Sequence, residues 1–183
     1  MKKSLYAIFI LLFFACGSDE PKKDDVIFFQ GKQFFQSQLD ELKKTPYYIY
    51  KIETVDSTRD SSTFSIDSLE WYMKPFLEAD INDPSIKKYY EESVFQDETT
   101  NSFSLSYTTT NKELPVQNMN VLLREDGKTV KRIFIRKYET KEEGFVIEQL
   151  SWRPNESFEN YRLIQQTNKP ETMHKIQVVW NAK

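Results

Sequence analysis

The sequence predicts an α+β fold: about eight strands in one curved antiparallel sheet, a meander able to form a half-barrel, with N-terminal and inserted helices packed on one face. Three observations carry this. After residue 101 the apolar residues alternate with polar ones and never return to helical spacing. Turn signals, Asp126-Gly127 foremost, separate these runs closely enough to favour antiparallel neighbours over crossovers. Before residue 101, helical spacing recurs in separate stretches around one hairpin.

Residues 25–44 read as the first helix. Phe28, Phe35, Leu39 and Leu42 share a face, Asp25 can cap the start, and Lys43 and Lys44 complement the dipole before Pro46 stops the chain. Residues 47–55, aromatic and β-branched, form a strand, followed by a polar turn over 56–61 and a short Phe64/Ile66 strand. Asp67 and Glu70 are spaced as a capping box for a second helix carrying Leu69, Tyr72, Met73, Phe76 and Leu77, kinked at Pro75. Asn82-Asp83-Pro84 opens a third, short helix that runs to about Val94. Strands then follow through Phe103, Leu105 and Tyr107, through Met119, Val121 and Leu123, and over residues 130–138, 145–152, 158–166 and 173–180. No repeat or internal boundary divides residues 26–183, which are expected to be one domain.

The first 25 residues are of another kind. Lys2 and Lys3 precede an apolar run over residues 5–14, too short for the roughly 20 residues a spanning helix needs, and Ala15 stands directly before Cys16. Residues 1–15 therefore read as a signal peptide. The segment Phe13-Phe14-Ala15-Cys16 resembles the lipobox of bacterial lipoproteins, with Phe13 where Leu is usual, and the resemblance implies a diacylglycerol and palmitate-type acyl chains on Cys16. Several chains make attachment effectively permanent. Residues 16–25 are polar and read as a flexible tether. Within it, Ser18-Asp19-Glu20 resembles the acidic signal that sends Bacteroidota lipoproteins to the outer membrane surface, so the expected location is the cell outer membrane, lipid-anchored.

Composition narrows the chemistry. Cys16 is the only cysteine, so an acylated protein has no thiol, disulfide or thiolate ligand in its domain. Without Lys2 and Lys3, 23 basic residues face 28 acidic ones, which argues against nucleic acid as a partner. His174, the single histidine, lies in the predicted terminal strand with no nucleophile motif. The four glycines form no phosphate-binding pattern. Glu91-Glu92, on a helix face, and Asp97-Glu98 and Glu142-Glu143, beside turns, read as solvated charges, and Lys131, Arg132, Arg136 and Lys137 as the solubility device of an edge strand. No enzyme activity, metal or cofactor is expected.

The stretch Trp71 to Pro84, ending Asp80-Ile81-Asn82-Asp83-Pro84, resembles a family of short uncharacterised Bacteroidota outer-membrane lipoproteins, from which no activity carries over. Asp80, Asn82 and Asp83 read as helix-terminating and capping residues rather than metal ligands. Asp56-Ser57 and Asp67-Ser68 resemble O-glycosylation sites of exported Bacteroidota proteins, which makes Ser57 and Ser68 candidate acceptors. Two functions fit: a non-catalytic interaction module for another envelope protein, or a carrier or sensor of an apolar ligand, a lipid or lipoprotein, in a half-barrel pocket. A filled core favours the first, and an apolar cavity the second.

Overall fold

The computed structural model describes residues 27–63, 65–142 and 144–180. The leader, Cys16, the tether and Asp25 lie outside them, as do Phe64 and Glu143. Two α-helices, α1 (Gly31–Lys44) and α2 (Leu69–Leu77), accompany β1 (Tyr50–Val55), β2 (Thr58–Thr63), β3 (Tyr90–Asp97), β4 (Ser102–Thr109), β5 (Val116–Leu123), β6 (Val130–Lys141), β7 (Gly144–Arg153), β8 (Ser157–Gln166) and β9 (Thr172–Val179). All nine strands join one open sheet in the order β2-β1-β9-β8-β7-β6-β5-β4-β3, and every neighbouring pair is antiparallel. Strands β3 to β9 make the expected meander, while the β1–β2 hairpin adds beside β9. The link from β2 to β3, which contains α2, therefore runs from one sheet edge to the other.

Several expectations are corrected. The first helix begins at Gly31, because the residues before it are held by long-range contacts: the Phe29 N–H donates to the Tyr107 hydroxyl at 2.9 Å, and the Phe29 carbonyl accepts from Asn82 Nδ2 at 2.9 Å. Phe28 is buried by this non-helical segment rather than by a helix. Second, β2 starts at Thr58, directly after the turn at Asp56, whose φ is 51°. Its residues are polar and exposed on both faces, so no alternation in the sequence marks them. Ile66 falls in a 3-10 turn (Ile66–Ser68) capped by Ser65, whose Oγ accepts from the Asp67 N–H at 3.2 Å; the cap is Ser65 and not Asp67.

Third, the helix expected from Pro84 to about Val94 is absent. One 3-10 turn (Lys87–Tyr89) leads into β3, so the described chain has nine strands and two α-helices where about eight and three were expected. Ladder pairing over all eight β3 residues outweighs the local capping signal. Tyr90 anchors it: its side chain is buried and its hydroxyl donates to the Val116 carbonyl at 2.7 Å. Asp83 caps only a turn, with Oδ1 accepting from the Ser85 N–H and hydroxyl at 2.9 and 2.6 Å. Glu91 and Glu92 accordingly stand on an edge strand, not a helix face. The basic strand is also misplaced by the sequence reading, since β6 lies between β5 and β7 and is no edge.

Both helices cover one sheet face, the inner face. Trp152 and Phe158 stack there at 5.4 Å with 6° between planes, Phe76 meets both rings edge-on at 5.5 and 5.4 Å, and Phe35 meets Trp152 at 5.5 Å. These are contact distances for aromatic pairs, and each ring removes on the order of 150–250 Å² from water. The space beneath the helices is packed with side chains at this end. Gly144 opens β7 with φ at 151°, and a Cβ there would lie 1.9 Å from the Gln165 carbonyl oxygen. Only glycine fits that approach.

Candidate functional site

The inner face changes character in successive cross-strand rows. The first row, Ile133, Trp152, Phe158 and Val178, belongs to the core. The second row is Ile135, Leu150, Asn160, Ile176 and Glu53. The third is Lys137, Glu148, Arg162, His174 and Val55, in which neighbouring charges alternate in sign across β6, β7 and β8. Opposite charges in such pairs contribute about 0.2–1 kcal/mol each. Where α2 no longer covers these rows, a cleft of about 370 Å³ opens, walled by Trp71, Tyr72 and Pro75 and floored by Asn160, Arg162 and His174. A second lobe of about 290 Å³ continues past Lys137 and Glu148 to Val146.

Glu148 organises the floor. Its side chain is 13% exposed; Oε1 accepts from Asn160 Nδ2 at 2.9 Å, and Oε2 pairs with Lys137 Nζ at 3.1 Å. Arg162 Nε stands 3.7 Å from the same carboxylate, an ion pair too long for a hydrogen bond. Two buried polar atoms are left over: Arg162 Nε and Asn160 Oδ1 have no hydrogen-bond partner. The amide of Asn160 cannot be turned to relieve this, because a carboxylate only accepts and so fixes Nδ2 toward Glu148. Residue Asn160 is 8% exposed.

At the β1 side, Glu53 joins Lys51 at 2.5 Å and His174 Nε2 at 2.7 Å. The Lys51 ammonium, and after it His174, hold the Glu53 carboxyl below the usual carboxylate range, and Glu53 in turn raises Lys51. His174 thus sits in the terminal strand as expected, but within a charged constellation the sequence reading missed. Trp71, on the rim, is 69% exposed and meets Tyr72 edge-on at 4.8 Å.

The remaining candidates stand apart from the cleft. Ser57 is exposed in the β1–β2 turn, and Ser68 is exposed at the end of the 3-10 turn before α2. Their neighbouring aspartates have structural tasks: Asp56 Oδ1 accepts from the Met173 N–H at 3.0 Å, and Asp67 bonds with Ser65 at 3.2 Å. Asp80 Oδ1 accepts from the Asn82 N–H at 2.9 Å, closing the end of α2. Cys16 lies outside the described residues. On the outer face, Arg132 donates to Ser151 Oγ through Nε and NH2, both at 3.1 Å, and lies 4.3 Å from the Phe134 ring centre. Among the described residues, no group of three His, Cys, Asp or Glu is placed to hold a metal, and no helix is long and apolar enough to cross a membrane.

Compared with protein families, curated proteins and solved structures, the chain matches none.

Proposed function

We propose that the protein is a lipoprotein of the Bacteroidota outer membrane, anchored through Cys16, whose domain is a non-catalytic interaction module for another envelope component. The observation that carries the reading is the charged cleft beside α2, open to solvent with Trp71 at its mouth, next to a core packed with aromatic rings. A carrier of lipid would need an apolar chamber. Seating an acyl chain on Lys137, Glu148 and Arg162 would strip water from charges at a cost of several kcal/mol.

Support for the non-catalytic part is geometric. Glu53 and Glu148 are separated by three strand intervals, about 14 Å at ~4.8 Å per strand, beyond the roughly 5–9.5 Å of paired glycosidase carboxylates. Glu78 and Glu139, which line the cleft with Glu148, are paired with Lys74 and Lys141. Glu148 itself is engaged on both oxygens. The exposed Ser57 and Ser68 are proposed glycan acceptors, a modification that mass spectrometry of the mature protein detects as sugar mass on those peptides.

A photoreactive residue in place of Trp71, in the full-length protein in cells, tests the function. A discrete cross-linked envelope product is expected, lost when Arg162→Glu is added and not formed from the same probe at the exposed Ser61 of β2. Identical products from both positions, or none from either, defeat the reading.

A further inference from the structure

The charges around the cleft are unevenly paired. Glu78 is paired with Lys74, Glu139 with Lys141, and Glu53 with Lys51 and His174. Glu148 is shared by Lys137 and Arg162, and it satisfies them unequally: Lys137 Nζ lies at 3.1 Å, whereas Arg162 Nε, at 3.7 Å, is left without a hydrogen-bond partner. The Arg162 Nε is buried, and Lys137 beside it is only 17% exposed, so an anion matched to this floor is worth more than on an open surface. Beside them lies the buried Asn160 Oδ1, an acceptor without a donor. Leaving such a group unmet is costly, and a ligand donor recovers that cost.

We propose that this cleft binds the C-terminal carboxylate of a polypeptide. The carboxylate pairs with Arg162 and Lys137, the N–H of the last peptide bond donates to Asn160 Oδ1, and the terminal side chain lies on the apolar wall of Trp71, Pro75 and Ile176. This inference rests on the interaction-module reading and supplies the chemistry of its partner. An acidic sugar shares the carboxylate but fits less well. Its several hydroxyls each need a partner, whereas the buried floor leaves only two polar atoms unpartnered, the donor Arg162 Nε and the acceptor Asn160 Oδ1. A cleft of about 370 Å³ also suits one terminal residue, at the low end of the roughly 300–1,000 Å³ of small-ligand sites.

Nuclear magnetic resonance titration of the domain with N-acetyl-valyl-leucine tests this, read at the Trp71 indole and the Asn160 side-chain amide. The acid is expected to shift both signals. Its C-terminal amide binds at least tenfold more weakly, and the analogue with an ester in place of the last peptide N–H binds several-fold more weakly. Arg162→Gln, at a side chain that is 41% exposed, removes the preference for acid over amide while leaving the rest of the spectrum unchanged. Equal binding of acid and amide overturns the proposal, as does D-glucuronate shifting these signals where the peptide does not, or the absence of a shift with any probe. Should the peptide fail while cross-linking at residue 71 persists, the module reading stands and its partner presents an internal segment; should both fail, both readings fall.

Discussion

Tyr90→Phe gives a sharp test of how β3 is held to the sheet. Burial pushes the Tyr90 phenol from 10.0 up to about 12. The folded chain therefore keeps a proton that the unfolded chain releases. The phenol's contribution is complete below about pH 10 and is lost as pH rises toward 12. Two pH units at about 1.4 kcal/mol per unit amount to about 2–3 kcal/mol. Near neutrality the variant loses the hydroxyl's bond to the Val116 carbonyl, at a cost of about 1–3 kcal/mol, because that acceptor stays buried. Urea unfolding of parent and variant at stepped pH should show the parent's advantage shrinking above pH 10 and vanishing near 12. Tyr107, also pushed upward by its burial, titrates in both proteins and drops out of the difference. A gap between parent and variant that stays constant over this range would refute the argument.

Phe76→Ala should cost about 3–5 kcal/mol in urea unfolding, since the ring touches Phe35, Trp152 and Phe158; a loss under about 1 kcal/mol would mean that the space beneath α2 is not filled. Gly144→Ala places a Cβ against the Gln165 carbonyl and should destabilise by about 1–3 kcal/mol or more, with amide exchange rising first at the β7–β8 ladder; unchanged stability would contradict the close approach. Glu53 has a lowered pKa, so its contribution is present above the ordinary carboxylate range and lost as pH falls below it. Glu53→Gln should therefore be less stable than the parent near neutrality, with the gap closing as pH falls below the ordinary carboxylate range, and a penalty independent of pH would argue against the Lys51 and His174 pairing. Cys16→Ser should leave the membrane fraction and lose labelled palmitate; retention of both would remove the anchor from the proposal.

The C-terminal strands were legible because each buries alternate residues on one face, as Ile133 and Ile135 do in β6. The same alternation contained the cleft. Glu148, Arg162 and His174 occupy inward positions in line with Leu150, Phe158 and Val178, a run of polar interruptions at core phase in three consecutive strands. Seen strand by strand they read as surface charge, because their coincidence in one row depends on register. β2 and β3 were hidden for another reason. The first is polar on both faces, and the second carries a capping signal at Asp83-Pro84 that tertiary pairing of Tyr90 overrides.

The position of β1 has a kinetic consequence. Tyr50 pairs with Val179, so the ladder that seats the first hairpin joins residues roughly 130 positions apart, a contact that forms late. Hairpins from β3 to β8 can close as soon as each strand emerges, since every one meets its predecessor. The N-terminal hairpin has no such neighbour until β9 is made. The β1–β9 ladder is accordingly the seam that closes last, after α1 and the segment before it can already have met Phe76, Asn82 and Tyr107.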